Sequence, residues 1–342
     1  MKWEKYQNDF TVNARHNGFS DVQIKKCLDY ALKLFNKNLP IIYNQTHLSL
    51  LVGYELEYLI KASNSSYCFY REFKIPKKSG GTREIAEPLP SLKEIQKWVL
   101  QEILNKCAYS SYAKAYIPKT SIKDNARFHR GQEKVLAIDV NDFFGSIKYY
   151  KIYDVFHGLG YSKSVSAMLA NLCCRNGCLP QGAPTSPALS NLVAASIDKR
   201  IAGLSKKQGF RYTRYSDDLA FSGKFKAGLI INFVRNVLSA EGFSINESKI
   251  RLMQPHQRQE VTGIITNEKL QAPRELRKKI RQEIYYIQKY GVDSHLEKSK
   301  NTRSHYMSHL LGTANFIHFV NPNDKFISKH IVMLKKLLHD SA

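Results

Sequence analysis

Two adjacent carboxylates in the β-type segment FRYTRYSDDLAFSG limit what this chain can fold into. The aromatic and apolar runs on both sides predict two strands joined at Asp217 and Asp218. Neighbouring carboxylates oppose each other's ionisation, so a fold that keeps both ionised needs a cation close by. A solvated turn is the simpler interpretation of an isolated acidic pair, because Asp is common in turns.

A third acid, Asp139, favours a metal site over a solvated turn, since it ends the apolar run KVLAI upstream of the pair. Mg²⁺ prefers a few carboxylates together with substrate phosphates. Two such ions, about 3.5–4 Å apart, stabilise both the attacking and the leaving oxygen of a phosphoryl transfer. We therefore expect two Mg²⁺ ions at Asp139, Asp217 and Asp218, with Lys or Arg as the alternative counter-charge.

The chain is strongly basic, with 52 Lys and Arg against 29 Asp and Glu and a net charge of +23. Such an excess indicates a polyanionic partner, either nucleic acid or an acidic membrane surface. No apolar run approaches the roughly 20 residues that cross a bilayer, and the N-terminus MKWEKYQNDF lacks the apolar region of a signal peptide. We expect a cytoplasmic protein that binds nucleic acid and no membrane.

The six cysteines have neither the spacing of a disulfide framework nor that of a zinc site; they are Cys27, Cys68, Cys107, Cys173, Cys174 and Cys178. We expect them to be buried apolar residues of a protein in a reducing compartment.

Helical and strand patterns alternate irregularly along the chain. Helical periodicity over residues 1–60 precedes a predicted hairpin at 67–88, and a further helix is predicted over 151–172. The loop LPQGAPTSP leads into a helix for which Ser186 is the expected N-cap and Pro187 the first residue. A last helix, PRELRKKIRQEIYYIQKYG, should bury Leu276, Ile280, Ile284 and Ile287. This order predicts an α+β fold with an antiparallel sheet.

Several segments resemble the motifs of one enzyme family. Tyr215-Ser216-Asp217-Asp218 resembles the YxDD signature of reverse transcriptases, DVNDFF resembles their first catalytic motif, and LPQGAPTSP resembles their nucleotide-binding loop. NARFH, at 125–129, and VTG, at 261–263, resemble two elements of retron reverse transcriptases, in which alanine is more usual than Ser216. The resemblance covers roughly residues 70–265.

The resemblance implies roles for the site residues. Asp139 and Asp217 would ligate both Mg²⁺ ions, with Asp218 supporting them and the Val140 carbonyl as a further ligand. The implied nucleotide-binding residues are Gln181, Gly182 and Ala183 in the pocket, Phe144 under the sugar, Lys249 at the departing pyrophosphate, and Arg83 with Lys77 or Lys78 at the triphosphate.

A basic C-terminal region is the expected binding surface for the RNA backbone. Residues 266–342 hold 14 Lys and Arg against 7 Asp and Glu, and each neutralised phosphate releases counterions. The expected RNA-binding residues are Asn125, His129, Val261, Thr262, Gly263, Arg274, Lys278 and Arg281. The alternative for His129 is that it only orders a loop. Four tyrosines, Tyr285, Tyr286, Tyr290 and Tyr306, could stack on unpaired bases or belong to a core.

The family also implies a right-hand polymerase architecture. Its expected parts are N-terminal helices and fingers at 1–92, a first palm part at 93–147, a fingers insertion at 148–178, a second palm part at 179–265 and a helical thumb at 266–342.

Retron enzymes imply a function for the whole chain. It would copy part of a cognate structured noncoding RNA into a branched RNA–DNA hybrid, msDNA, from deoxynucleoside triphosphates, starting at the 2′-hydroxyl of a guanosine. The family further implies antiphage defence with a separate effector or toxin protein. The alternatives are a group II intron or diversity-generating reverse transcriptase, or a catalytically silent RNA-binding scaffold.

The assignment of the sugar contact generates a testable prediction. Replacing Phe144 by Ala or Val should admit ribonucleotides, because the ring would no longer clash with a 2′-hydroxyl. Incorporation of ribonucleotides and deoxynucleotides by each variant measures the effect. Unchanged sugar discrimination would show that another residue forms the gate.

Overall fold

The computed structural model describes residues 2–77, 80–300 and 302–340. The chain divides into two compact units. The first unit comprises Met1–Pro118, Val140–Arg200 and Arg235–Ile245, and the second comprises Lys119–Asp139, Ile201–Val234 and Asn246–Ala342. The five predicted parts of the hand are a finer division, and their boundaries remain a prediction.

Fifteen helices and nine strands are found in the described ranges. The helices are α1 (Trp3–His16), α2 (Asp21–Phe35), α3 (Gln45–Val52), α4 (Leu56–Asn64), α5 (Pro90–Glu102), α6 (Ile122–Phe128), α7 (Tyr149–Leu159), α8 (Lys163–Cys173), α9 (Ser186–Val193), α10 (Ala195–Gln208), α11 (Ala227–Ala240), α12 (Arg274–Tyr290), α13 (Val292–Ser299), α14 (Tyr306–Val320) and α15 (Lys325–Asp340). The strands are β1 (Tyr70–Pro76), β2 (Thr82–Pro88), β3 (Lys134–Asn141), β4 (Arg211–Tyr215), β5 (Asp218–Gly223), β6 (Ser244–Ile245), β7 (Arg251–Met253), β8 (Glu260–Val261) and β9 (Ile264–Ile265).

The predicted hairpin in the first unit is confirmed. Strands β1 and β2 pair antiparallel, with Glu72 opposite Ala86. Beyond Tyr70 every residue of β1 is exposed, and in β2 three exposed residues are followed by partly buried Ile85 and buried Ala86. The hairpin is therefore held at its base and exposes its tip.

The predicted antiparallel sheet is also confirmed. In the second unit β3 pairs with β5 and β7, and β5 pairs with β4. The register places Asp139 opposite Asp218. In the first unit the end of β3 pairs with β6, Val140 lying opposite Ile245. Helices and antiparallel strands in this order form the predicted α+β fold.

The C-terminal helices of the second unit share one apolar core. On α12 the buried side chains are Ile280, Ile284 and Ile287, at the predicted helical spacing, and Leu276 packs against them while partly exposed. They pack in a cluster with residues of α14 and α15 that includes Leu334. The helix ends before Gly291, as predicted, and Gly291 has the positive φ of 80° that favours glycine.

Two predictions of helix boundaries are wrong. The helix expected over 151–172 is two helices, α7 and α8, because Gly160 adopts a left-handed φ of 113° and ends the first. The N-cap of α9 is Thr185 rather than Ser186, which is the first helical residue. The Ser186 hydroxyl donates to the Pro180 carbonyl at 2.6 Å, so it does not cap the helix.

The expectation for the cysteines holds only in part. Cys173 and Cys174 are buried, whereas Cys68 is exposed, and no disulfide joins the six, all of which lie in the described ranges. None of the helices in those ranges is both long and apolar enough to cross a membrane.

The core of the C-terminal helices generates a stability prediction. Replacing Ile284, which is fully buried, by Ala should destabilise the second unit by about 2–5 kcal/mol, because it removes methyl groups and leaves a cavity. Val332→Ala on exposed α15 surface is the matched control and should change stability by less than about 0.5 kcal/mol. Hydrogen exchange of amides in this unit measures both; equal effects would contradict the core assignment.

Candidate active site

Three carboxylates lie at one end of the paired strands β3, β4 and β5. Strand β4 ends at Tyr215 and β5 begins at Asp218, so Ser216 and Asp217 form the turn between them. Ser216 has a φ of 60°, a left-handed conformation that is uncommon for residues other than glycine. The turn sets Asp217 beside Asp218, and the strand register sets Asp139 opposite Asp218.

The electrostatics of the cluster match its geometry. Burial, and after it the charges of Asp217 and Asp139, raise the pKa of Asp218 to about 6. Burial likewise raises the pKa of Asp217, and the charge of Asp139 adds to the effect. Asp218 nevertheless remains accessible to solvent, so water screens part of this repulsion. A cation bound here would relieve the rest.

Lys249 supplies a counter-charge in this conformation. Its ammonium lies 3.0 Å from each carboxylate oxygen of Asp139. The Asp139 side chain is 14% exposed and that of Lys249 is 55% exposed. At Asp139, one of the three acids, the counter-charge is therefore a lysine, which was the predicted alternative to Mg²⁺.

The same residues can be tested for their fit to Mg²⁺. In the ranges 2–77, 80–300 and 302–340 no group of three or more His, Cys, Asp or Glu side chains is arranged as a metal site. The donor chemistry nevertheless fits, because hard carboxylate oxygens and a raised pKa are what a divalent cation relieves. Lys249 occupies the two oxygens of Asp139, so the residues fit the metal once that ammonium moves away.

Arg214 supports the acidic turn and was not identified from the sequence. Its side chain is 1% exposed, and its guanidinium donates to the Ser216 carbonyl at 3.3 Å. The bond stabilises the left-handed residue that presents Asp217. The only sequence signal was an arginine within a strand otherwise rich in buried residues, next to the acidic pair.

The NARFH segment forms a buried hydrogen-bond network. His129 makes 2.7 Å hydrogen bonds with Ser222 through Nδ1 and with Thr213 through Nε2. The Thr213 hydroxyl donates to Asn125 Oδ1 at 2.6 Å, so it is the His129 Nε2–H that donates to Thr213. Asn125 in turn donates to the Thr262 hydroxyl at 3.5 Å. The network joins α6 to both strands that flank the acidic turn.

The residues of NARFH and VTG differ in their exposure to solvent. Asn125 and His129 are 1% and 0% exposed, which argues against direct RNA contact and favours their ordering of the sheet. Val261 is buried as well. Thr262 and Gly263 form the turn between β8 and β9 with φ of 48° and 79°, and Gly263 is exposed. Of the predicted RNA-binding residues in NARFH and VTG, those in this turn are therefore the most accessible to RNA.

Helix α12 exposes the predicted basic side chains. Arg274, Lys278 and Arg281 are exposed, and the Arg281 guanidinium lies 5.2 Å from the ring centre of Phe326. Of the four tyrosines predicted either to stack on bases or to belong to a core, one is buried and three are exposed. Tyr306 is buried and its hydroxyl donates to Glu283, whereas Tyr285, Tyr286 and Tyr290 are exposed.

The predicted nucleotide-binding residues other than Lys249 belong to the first unit. Phe144 is partly buried, with its ring centre 6.5 Å from that of Tyr116, while Phe143 is core. The remaining positions are exposed Lys77 and Arg83 at the hairpin tip, partly buried Gln181, exposed Gly182 and buried Ala183. Lys78 lies outside the described residues.

Comparison with known proteins gives one consistent family. The family "Reverse transcriptase (RNA-dependent DNA polymerase)" matches residues 75–312. Retron Ec86 reverse transcriptase of Escherichia coli is 36% identical over 260 residues, covering 75% of this chain and 81% of that protein. Retron Mx65 reverse transcriptase of Myxococcus xanthus is 32% identical over 295 residues, 80% of this chain and 67% of that protein.

The chain is also similar to solved structures. The foamy viral protease-reverse transcriptase dRH in complex with ds DNA aligns with a TM-score of 0.46 and 17% identity, and the alignment covers 79% of this chain and 39% of that chain.

The repulsion within the cluster generates a prediction about pH. The pKa of Asp218 is raised from 3.8 to about 6 in the folded chain, so its ionised form opposes folding above that pH. Without divalent ions, Asp218→Asn should raise the melting temperature at about pH 7.5, and the gain should shrink as the pH falls through 6 toward 4.

Thermal unfolding in EDTA across this pH range measures the difference between variant and parent. Asp154→Asn, on the exposed side of α7, is the control and should show no such pH-dependent gain. An Asp218→Asn gain that stays constant with pH would contradict the assignment.

Proposed function

The chain belongs to the retron reverse transcriptases, and we propose that it copies part of one cognate structured RNA into msDNA, a branched RNA–DNA hybrid. It is an RNA-directed DNA polymerase that uses an RNA template and deoxynucleoside triphosphates. The right-hand polymerase fold predicted from the sequence is the fold of this family.

The proposal depends above all on the meeting of three carboxylates at one end of the sheet. Asp139, Asp217 and Asp218 would hold two Mg²⁺ ions, with the Val140 carbonyl as a further ligand. When bound, the ions supply charge stabilisation to the attacking and leaving oxygens of nucleotidyl transfer. The Arg214 bond to Ser216 fixes the turn that presents Asp217, so the cluster is preorganised by the chain itself.

Lys249 is proposed as the group that protonates the departing pyrophosphate. Its ammonium is bonded to Asp139 at 3.0 Å, and its side chain is 55% exposed. A lysine carries its proton on a flexible four-carbon stem, so it can exchange one anionic partner for another. Release from Asp139 would free the carboxylate oxygens and make the proton on Nζ available to the leaving group.

The nucleotide and the RNA would be bound by residues of different chemistry. Arg83, with Lys77 or Lys78, is proposed for the triphosphate, and Phe144, Gln181 and Gly182 for the sugar and base. The exposed cations of α12 are proposed for RNA phosphates. Exposed Tyr285, Tyr286 and Tyr290 offer faces on which unpaired bases could stack.

The biological setting is proposed from the similarity of the chain to retron enzymes. We propose action in the cytoplasm, in antiphage defence, together with a separately encoded effector or toxin protein. Sequencing of the nucleic acid that co-purifies with the chain tests the msDNA part directly, because a 2′-linked branch is diagnostic. Recovery of unbranched RNA alone would contradict it.

The catalytic assignment generates a mutational prediction. Asp217→Ala should lower primer extension on an RNA template by roughly a thousandfold or more, because a lost ligand removes several kcal/mol of charge stabilisation. Asp293→Ala, at an exposed position of α13, is the matched control and should extend primers as the parent does. Extension that survives Asp217→Ala would refute the metal assignment.

A further inference from the structure

The base of the β1–β2 hairpin is joined to the loop of residues 179–187 through main-chain atoms. The Ala86 amide donates to the Gln181 carbonyl at 2.8 Å. Gly182 follows with a φ of 121°, and a Cβ added there would lie 2.8 Å from the Ala86 carbonyl oxygen and 2.8 Å from Ile85 Cγ2. The lack of a side chain at Gly182 thus lets strand β2 approach the loop.

The hairpin register explains why the main-chain polar groups of Ala86 face the loop. Lys77 donates its amide to Gly81, and ladder bonds alternate along the hairpin from that point. Counting from this bond, Ala86 and Glu72 form a pair that exchanges no hydrogen bonds. The amide and the carbonyl of Ala86 therefore both point out of the hairpin, toward the loop, and holding the loop weakens no bond between β1 and β2.

The contact lies close to predicted nucleotide-binding residues in both the hairpin and the loop. Ala86 is 6% exposed, and the residues from Thr82 to Glu84 are exposed. The contact therefore lies where the hairpin leaves the rest of the first unit. Arg83 is three residues toward the tip, and Gln181 is the residue that accepts the bond. An isolated two-stranded hairpin is only marginally stable, so such an anchor restricts where its tip lies.

We propose that Ala86 is a positioning residue for the nucleotide pocket. Its amide is hydrogen-bonded to Gln181, and Gly182 leaves room for this approach. The contact fixes Gln181 relative to Arg83. The proposal rests on the proposed function, which gives those two residues their contacts with the incoming deoxynucleotide. Without the anchor, hairpin and loop would have to be ordered by the nucleotide itself, and ordering at the moment of binding weakens affinity.

Replacing Ala86 by Pro tests the role, because proline removes the amide donor and no ladder bond. Glu84→Pro is the matched control. By the same alternation its amide also points outward, its side chain is exposed, and Glu84 has no proposed contact with the nucleotide. Ala86→Pro should raise KM for deoxynucleotides about tenfold, the effect of one lost hydrogen bond, with kcat within about twofold. Glu84→Pro should change neither by more than about twofold.

Hydrogen exchange over residues 178–185 gives a readout that does not depend on catalysis. Uptake should rise in Ala86→Pro and stay at the parent level in Glu84→Pro. Equal exchange, or equal KM, in the two proline variants would overturn the inference. A parent chain without polymerase activity would instead refute the proposed function, and the exchange comparison would still decide whether Ala86 holds the loop.

A second variant covers the case in which Ala86→Pro does not fold. Gly182→Ala places a Cβ against the Ala86 carbonyl and should raise KM in the same way. Gly160→Ala is its control, because Gly160 has a similar φ of 113° and only an ordinary 3.6 Å contact with Leu34. Equal KM values in the two alanine variants would show that backbone strain, and not the contact with β2, accounts for the change.

Discussion

Mutual repulsion among Asp139, Asp217 and Asp218 is the constraint on which the second unit depends. Three acids that meet at one end of a sheet oppose folding unless positive charge compensates them. In this conformation Lys249 supplies that charge to Asp139, and the raised pKa of Asp218 shows what is left uncompensated. Because the carboxylates repel one another, the residues around them have to hold the turn in place. Arg214 does so through the Ser216 carbonyl, and the network of His129 does so through the flanking strands.

The sequence predicted the elements whose signals are local. Aromatic and apolar runs on both sides of the acidic pair predicted β4 and β5, the KKSGGT turn predicted the β1–β2 hairpin, and helical spacing predicted the buried face of α12. The helix start at Ser186 failed by one residue, because a hydroxyl can bond a nearby carbonyl as well as cap a helix. Gly160 divided a helix that periodicity alone made continuous.

Contacts between distant residues could not be predicted in this way. The resemblance drew attention to Asn125 and His129, but their partners Thr213 and Ser222 lie more than 80 residues away. A polar pattern in one segment does not reveal whether its side chains face RNA or close a buried network. For the same reason Ala86 carried no signal, since its contact with Gln181 uses only main-chain atoms.

The left-handed turn at Ser216 restricts sequence variation more tightly than the chemistry of the site does. Side chains branched at Cβ fit a positive φ poorly, so valine, isoleucine and threonine are disfavoured between Tyr215 and Asp217 whatever reaction the neighbouring acids serve. Serine, alanine, asparagine and glycine remain compatible. Variation among relatives at this position is thus a record of backbone geometry, and exchanging serine for alanine there should leave the identity of the substrate untouched.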